Sequence, residues 1–333
     1  MTETKALPLA VSMGEPAGIG PDLIVQLYAD RQAQALPVFA VYGDAEFLAT
    51  RAKRLGLAID CVETDIADAA DAWAHGLPVI DLGGDVMDQP GVPDAAAAPA
   101  VIEAIARAVA DVRDGRARAL VTAPIHKAAL YSTGFSYPGH TEFLAALCAE
   151  DGVVPHPVMM LAHEDLRVVP LTVHIPLADV PGAITGALIE ETVRIVVHDL
   201  MVRFGIAAPK IGVAGLNPHA GEDGTIGRED IEVIAPALAQ LRAEGLDVVG
   251  PLSGDTLFHP PHWRSFDAVI AMYHDQALIP IKALAFDSGV NVTLGLPIVR
   301  TSPDHGTAFG LAGTGKASTK SMLAALKLAD RMA

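Results

Sequence analysis

Short apolar runs alternate with helical stretches along the whole chain, and this alternation restricts the possible folds more than any other feature. Runs of this length and polarity are typical of strands buried on both faces of a sheet. The predicted strands are Leu9–Ser12, Pro37–Tyr42, Leu77–Leu82, Ala119–Thr122, Val158–Ala162, Leu166–His174, Ile211–Gly215 and Ala268–Met272. Strands joined through helices predict right-handed βαβ units, and therefore an α/β protein with a largely parallel sheet. The segment His163–Asp165 is predicted to be a hairpin turn, which adds an antiparallel connection.

Helical stretches separate these runs. The expected helices are Pro21–Leu36, Asp44–Leu55, a long helix that ends near Arg113, Phe143–Ala149, Ile184–Phe204, Asp230–Glu244 and Leu323–Arg331. The chain is 51% hydrophobic but only 5% aromatic, so small aliphatic side chains dominate, as they do where helices cover a parallel sheet. A length of 333 residues suggests two domains.

The charge balance excludes several classes of partner. The formal net charge is −17, from 23 basic and 40 acidic residues, which argues against binding to nucleic acid or to an anionic membrane. An anionic substrate must therefore be held by a few well-placed cations. The two cysteines argue against a disulfide framework and a thiolate zinc cluster. The N-terminus lacks a signal-peptide pattern and no apolar run approaches a membrane span, so we expect a cytoplasmic protein.

Three histidines follow predicted strands at the same relative position. His174 ends one strand, and His219 and His274 each follow another by a short turn. If those strands are parallel neighbours, the three imidazoles lie along one carboxyl edge of the sheet. Three neutral nitrogen ligands that leave an open position are typical of a catalytic divalent-metal site. His126 has a similar placement, and this pattern alone does not separate it from the other three.

Two glycine-rich segments suggest anion binding, with different weight. The segment Gly14–Pro21 lies between a strand and a helix, which favours either a loop close to a ligand or tight structural packing. This segment does not match the dinucleotide-binding pattern Gly-x-Gly-x-x-Gly. The segment Gly310–Ala317 almost matches a P-loop, but Ala317 replaces the hydroxyl residue that would hold magnesium, and no strand directly precedes it. A nucleotide triphosphatase is therefore disfavoured.

A third candidate anion site lies at the start of the helix that includes Phe143. Thr141 is a credible N-cap, which would place His140 and Thr141 at the positive end of that helix. This arrangement suits a phosphate group, although capping alone would explain the same residues.

Six motifs, taken together, carry a family resemblance. They are Met13–Asp22 (MGEPAGIGPD), Thr122–Lys127 (TAPIHK), Gly139–Phe143 (GHTEF), Leu216–Glu222 (LNPHAGE), Ala271–Gln276 (AMYHDQ) and Arg300–Thr307 (RTSPDHGT). In this order and over essentially the whole chain, the sequence resembles the 4-hydroxythreonine-4-phosphate dehydrogenase family of vitamin B6 biosynthesis.

The resemblance implies a two-domain α/β fold of the isocitrate/isopropylmalate dehydrogenase type, with mostly parallel sheets and without a Rossmann module. It implies a first domain of residues 1–125 with 301–333, and a second domain of residues 126–300 that carries most metal and substrate residues. It also implies a homodimer whose active site lies in the interdomain cleft at the subunit interface.

The resemblance also extends to individual site residues. The resemblance implies a divalent metal (zinc, magnesium or cobalt) on His174, His219 and His274, and substrate contacts from His140, Thr141, Lys282, Asn291 and Arg300. The implied reaction is the oxidation of 4-phosphooxy-L-threonine by NAD or NADP, followed by loss of carbon dioxide. Lys282 is our choice for the group that takes the hydroxyl proton, with Asp255 as the alternative. Gly310 stands where the family has an acidic residue, which puts the order of that loop in doubt.

Other functions remain compatible with these residues. A related dehydrogenase could act on a phosphorylated sugar acid such as threonate or erythronate 4-phosphate, or on a ring dihydrodiol dicarboxylate. A metal-dependent hydrolase could use the same three histidines to activate water, and a binding protein could use the scaffold without catalysis. The motif Gly139–Thr141 favours a phosphorylated substrate but does not distinguish an amino acid from a sugar acid.

Overall fold

The computed structural model describes residues 6–83, 86–131, 135, 137, 139–164 and 166–333. The chain divides into two compact units, the first formed by Met1–Pro157 with Leu296–Ala333 and the second by Val158–Gly295. The predicted boundaries therefore shift, because residues 126–157 and 296–300 belong to the first unit.

Hydrophobic packing explains this shift. Phe143 and Leu144, together with Leu296 and Ile298, are buried in the same apolar core as Ile105 of the first unit. As a consequence, the proposed substrate and metal residues are divided between the units. The first unit carries His140, Thr141 and Arg300, and the second carries His174, His219, His274, Lys282 and Asn291.

The strands of the described part of the chain are short. They are β1 Leu9–Ser12, β2 Phe39–Gly43, β3 Cys61–Glu63, β4 Leu77–Asp81, β5 Leu120–Thr122, β6 Val158–His163, β7 Leu166–Pro170, β8 Lys210–Ala214, β9 Asp247–Leu252, β10 Ala268–Ala271, β11 Val290–Leu294 and β12 Arg300–Pro303.

The α-helices of the same part vary from one turn to almost five. They are α1 Gly20–Ala29, α2 Ala45–Arg54, α3 Ala69–Ala72, α4 Ala98–Arg113, α5 Lys127–Tyr131, α6 His140–Leu147, α7 Val180–Ala183, α8 Gly186–Val202, α9 Ala235–Ala243, α10 Gly254–Leu257, α11 His274–Ala285 and α12 Lys320–Met332. A π-helical turn, Asp230–Ile234, leads directly into α9.

In the first unit the strands are parallel, in the order β3-β4-β2-β1-β5-β12. The order changes direction between β1 and β5, so the loops that follow these two strands diverge from a switch point, where open α/β sheets bind ligands. The helix α4 packs its apolar face on β1 and β2.

In the second unit the order is β11-β6-β7-β10-β8-β9. β6 runs antiparallel to β11 and to β7, whereas β7, β10, β8 and β9 are parallel to one another. The α/β class, the mostly parallel sheets and the predicted antiparallel β6–β7 connection are confirmed. Asp165, the last residue of the predicted turn between these strands, lies outside the described residues.

Several predicted element ends are wrong. The first helix ends at Ala29 and not at Leu36, because residues after Asp30 turn and Ala35 takes a left-handed φ of 47°. The strand predicted to reach His174 ends at Pro170, and His174 itself has a φ of 53°, which is incompatible with a strand.

Among the described residues, no helix combines the length and the apolar character needed to cross a bilayer.

Candidate functional site

The second unit brings together the strand ends that carry the three histidines. β10 lies between β7 and β8 and is parallel to both, with Val269 paired to Val168 and to Gly212. The loops that follow these strands therefore leave from the same edge of the sheet, which we call the histidine edge, and they carry His174, His274 and His219.

His174 and His274 lie side by side on this edge. Their ring centroids are 5.6 Å apart, and both line a cavity of about 260 Å³ whose walls include Thr172, Leu177 and Val180. Thr172 links the two loops that carry these histidines, because its hydroxyl donates to the carbonyl of Met272 at 2.8 Å.

The imidazole of His274 is oriented by its neighbour. His274 is the first residue of α11, and its Nδ1 lies 2.7 Å from Oδ1 of Asp275. A proton on Nδ1 that is donated to this carboxylate leaves Nε2 as the free lone pair, which is the usual arrangement of a metal-binding histidine. Neutral nitrogen ligands of this kind suit zinc or cobalt, so the pair of histidines fits the predicted metal.

His219 reaches the same edge in an unusual backbone conformation. It lies in the turn Pro218–Gly224 that follows β8, where five successive residues from His219 to Asp223 have φ between 41° and 80°. Its side chain is exposed. Among the described residues of one chain, no group of three or more His, Cys, Asp or Glu side chains forms a ready metal site.

Lys282 and Asn291 occupy other positions in the second unit. Lys282 lies in α11, and its Nζ is 5.6 Å from the ring centre of the exposed Phe286. Asn291 lies in β11, paired with Leu161 of β6. Asp255 is the alternative proton acceptor. Its Oδ1 accepts a hydrogen bond from the hydroxyl of Ser253 at 2.5 Å.

The pKa of Asp255 argues against it as a base. The Ser253 hydrogen bond is the main reason that this pKa is lowered, and the backbone N–H of Thr256 and the nearby His219 lower it further. A carboxylate with a lowered pKa is a weaker proton acceptor at neutral pH.

The first unit carries a separate group of polar residues, which we call the cationic cluster: Arg300, Lys127 and His140. Arg300 is only 3% exposed, and its Nη2 donates to Oγ1 of Thr122 at 2.6 Å. Burial lowers the pKa of Arg300 to about 10. The guanidinium therefore stays charged at neutral pH and can hold an anion.

His140 stands at the start of α6, beside these cations. Burial lowers its pKa well below the ordinary value, and the charges of Arg300 and Lys127 lower it further. His140 is therefore neutral at pH 7. Its buried Nε2 has no hydrogen-bond partner among the described residues, which is the condition expected of an atom that a ligand completes.

The predicted capping role of Thr141 is wrong. Gly139 precedes the first helical residue in an extended conformation, and Thr141 is the second residue of α6. Gly139 is also closely surrounded by side chains. A Cβ atom there would lie 2.6 Å from Oε2 of Glu142 and 3.3 Å from Nζ of Lys127.

Lys127 was missed as a site residue by sequence reasoning. It ends the motif Thr122–Lys127, and this position directly after β5 was the available signal. Its closeness to His140 depends on how α5 and α6 each pack against α4, which local sequence does not report. His126, the alternative metal ligand, is in the first unit, whereas the three other histidines are in the second. Its ring packs edge-on against Phe309 at 5.1 Å.

Both glycine-rich segments are used for internal packing. A Cβ on Gly14 would lie 2.6 Å from the carbonyl oxygen of Pro124. In the P-loop-like segment, the N–H of Gly313 donates to Asp22 at 2.7 Å and the carbonyl of Gly315 accepts from Gln26 at 3.2 Å. These backbone groups tie the segment to α1.

Two units of mostly parallel sheet, with polar side chains at the strand ends, are the architecture of an α/β enzyme. The family model "Pyridoxal phosphate biosynthetic protein PdxA" matches residues 35–329. The chain belongs to this family, as its motifs predicted.

Known relatives agree with this assignment. A protein from Bradyrhizobium diazoefficiens named 4-hydroxythreonine-4-phosphate dehydrogenase is 54% identical, over 100% of this chain and 99% of its own length. A crystal structure of the enzyme of that name from Burkholderia phymatum has 40% identity and a TM-score of 0.84, and covers 98% of each chain. A terephthalate 1,2-cis-dihydrodiol dehydrogenase from Burkholderia xenovorans has 29% identity and a TM-score of 0.66, with 97% of each chain covered. The prediction of a dehydrogenase is confirmed.

Proposed function

We propose that this chain oxidises the C3 hydroxyl of 4-phosphooxy-L-threonine with NAD or NADP, in pyridoxal phosphate biosynthesis. The hydroxyl proton goes to a base and the C3 hydride to the nicotinamide, which gives 2-amino-3-oxo-4-phosphooxybutanoate. This 3-oxo acid then loses carbon dioxide and takes up a proton to form 3-amino-2-oxopropyl phosphate. The observation that carries the proposal is the full-length identity of 54% to an enzyme named for this substrate.

The cationic cluster supports a phosphorylated substrate. Arg300 presents a planar, permanently charged donor set that suits phosphate oxygens. Neutral His140 adds a hydrogen bond without a competing charge, and the Thr141 hydroxyl at the start of α6 adds another. In a chain with a net charge of −17, such placed cations are needed to bind any anion.

The histidine edge supports a divalent metal. When bound, the metal supplies Lewis-acid polarisation of the substrate oxygen, and the nicotinamide supplies the hydride acceptor. His174 and His274 would hold the metal from one chain, with Asp275 keeping His274 in the correct tautomer. Lys282 takes the hydroxyl proton in this proposal, since the lowered pKa of Asp255 makes that carboxylate the poorer base. Asn291 orients the substrate.

We also propose a homodimer in which each metal site is shared. The close pair His174 and His274 supports assigning both ligands to the same chain. His219 is then the ligand that a second copy of the chain contributes. A two-fold axis repeats the exchange, so both sites of the dimer are equivalent.

A panel of phosphorylated four-carbon acids tests the reaction. The protein is incubated with NAD or NADP and a divalent metal, and near-ultraviolet absorbance reports reduced nicotinamide. We expect the highest kcat/KM with 4-phosphooxy-L-threonine. A higher value with threonate or erythronate 4-phosphate would favour the sugar-acid dehydrogenase, and no reduction with any substrate would favour a hydrolase or a binding protein.

A further inference from the structure

We infer that Asp230 is a positioning residue for His219, because its buried carboxylate holds the turn that presents this histidine. The inference rests on the proposed metal site and names a residue outside the predicted ligands. Asp230 is eleven positions beyond His219 in the sequence and begins the π-helical turn before α9.

The turn needs an external support. His219, Ala220, Glu222 and Asp223 all have left-handed φ angles, from 41° to 54°. L-residues disfavour this conformation, and a run of them persists only where the surroundings hold it. Glycine tolerates such angles at Gly221 and Gly224, but the four other residues need contacts around the turn to hold them.

Asp230 supplies such contacts. Its Oδ1 accepts from the backbone N–H of Leu216 at 2.8 Å. Its Oδ2 accepts from the backbone N–H of Asn217 at 3.1 Å and from Nδ2 of the same residue at 2.9 Å. Asp230 is 1% exposed. The carboxylate is thus removed from water and bonded to the two residues that enter the turn.

The same carboxylate also contacts the turn sterically. A Cβ on Gly215 would lie 2.5 Å from Oδ1 of Asp230, and one on Gly221 would lie 3.3 Å from Oδ2. Gly215 precedes His219 and Gly221 follows it, so Asp230 packs against the chain on both sides of the histidine. Asn217 strengthens this arrangement by donating to Glu229 at 2.8 Å.

The charge of Asp230 is matched to its partners, all of which are donors. An asparagine would keep the shape of the side chain, but its NH₂ group would face a backbone N–H or the Asn217 amide. At least one of the three hydrogen bonds would be lost. The replacement Asp230→Asn should therefore loosen the His219 turn without removing a metal ligand.

Cobalt(II) titration of the full-length protein tests the inference, with the visible spectrum of the bound ion as the readout. The variants are His219→Ala, Asp230→Asn and Asp199→Asn. Asp199 is the matched control, since it is a carboxylate in the same unit, is 2% exposed, and accepts from the N–H of Gly295 at 2.8 Å. We expect Asp230→Asn to weaken cobalt binding roughly 10- to 100-fold and to shift the spectrum toward that of His219→Ala. Asp199→Asn should leave affinity and spectrum unchanged even if it lowers Tm.

The outcomes separate the inference from the proposal beneath it. If the wild-type protein binds no cobalt, or His219→Ala binds it normally, the proposed metal site fails and the inference fails with it. If the wild type and His219→Ala behave as expected but Asp230→Asn binds cobalt like the wild type, the positioning role alone is overturned. Equal weakening in Asp199→Asn also overturns it, because the effect would then be general.

A second variant covers the case in which Asp230→Asn does not fold. Asn217→Ala keeps the Asp230 carboxylate and both backbone donors, but removes the side-chain donor to Asp230 and Glu229. We expect cobalt affinity to fall several-fold in this variant, with a partial shift of the spectrum. Unchanged affinity and spectrum would overturn the inference.

Discussion

Burial affects the charge states of His140 and Arg300, two candidate substrate residues of the first unit, differently. His140 is held neutral by burial and by two nearby cations, whereas Arg300 stays charged although burial lowers its pKa to about 10. A neutral hydrogen-bonding group beside a fixed cation suits a phosphate oxygen. Gly310, at which the family resemblance implies an acidic residue, has open space in the direction of a Cβ atom. A glycine at position 310 therefore leaves no gap in the packing of the surrounding residues.

The geometry of Arg300 can be tested by Arg300→Lys. Lysine keeps the charge but loses the planar fork and, with it, the hydrogen bond to Thr122. Hydrogen bonds that involve a charged group contribute about 1.5–3 kcal/mol, so we expect kcat/KM to fall roughly 10- to 100-fold. The control is Lys316→Ala, at an exposed lysine of the P-loop-like segment, which should change kcat/KM little. Equal losses at both positions would mean that the anion site has been misplaced.

At the scale of elements, α11 links two of the loops at the histidine edge. Gln276, in its first turn, accepts from the N–H of Met272 at 2.6 Å and donates to the carbonyl of Gly215 at 2.8 Å. It therefore joins the end of β10 to the residue that follows β8. The helix was not predicted from sequence, because Pro280 interrupts its pattern and divides it into two apolar runs.

Replacing Gln276 by methionine tests this link. Gln276→Met keeps the length of the side chain but leaves the Met272 N–H and the Gly215 carbonyl without their partner. We expect the free energy of unfolding to fall by about 1–3 kcal/mol, measured by urea denaturation. Gln240→Met, at an exposed glutamine of α9 whose side chain donates to Glu244 at 3.3 Å, should change it by no more than about 0.5 kcal/mol. A similar small change in both variants would show that the Gln276 link contributes little.

At the scale of the whole molecule, the candidate groups are divided between two units of one chain. The cationic cluster belongs to the first unit, and the histidine edge, Lys282 and Asn291 belong to the second. Their assembly into one active site is part of the proposed function. The sharing of each metal site between two copies of the chain adds a further requirement, which mixed dimers can test.

Mixed dimers of inactive variants should recover activity only in certain combinations. With His174 and His274 from one chain and His219 from the other, His174→Ala refolded with His219→Ala places both defects in one site and leaves the other intact. The pair His274→Ala and His219→Ala should recover activity for the same reason. The pair His174→Ala and His274→Ala should stay inactive, because each site then lacks one ligand.

The measurement is dehydrogenase activity after joint refolding, with each variant refolded alone as the control. One of the two sites in each mixed dimer is competent, and random pairing makes about half of the dimers mixed, so the recovered activity should be roughly a quarter of the wild-type value. If no combination recovers activity although mixed dimers form, the metal site is built within one subunit.

Much of the architecture was predictable because it depends on local patterns. The apolar runs of β1, β5, β8 and β10 are near-continuous, and a strand buried on both faces needs no more than that. The positions of His219 and His274 after such strands could therefore be predicted as well. β9 was missed because it is an edge strand, only partly buried, with Gly250 and Pro251 within it.

By itself, the sequence determined the α/β class, the family and the candidate ligands, since these follow from periodicity and from motifs of a few adjacent residues. Only the tertiary structure decided that Lys127 and Arg300 flank His140, and that Asp230 holds the turn of His219. The unit to which residues 126–157 belong was decided in the same way. Contacts of this kind join residues that are distant along the chain. They depend on how helices and strands pack, and a local pattern carries no information about a partner in another element.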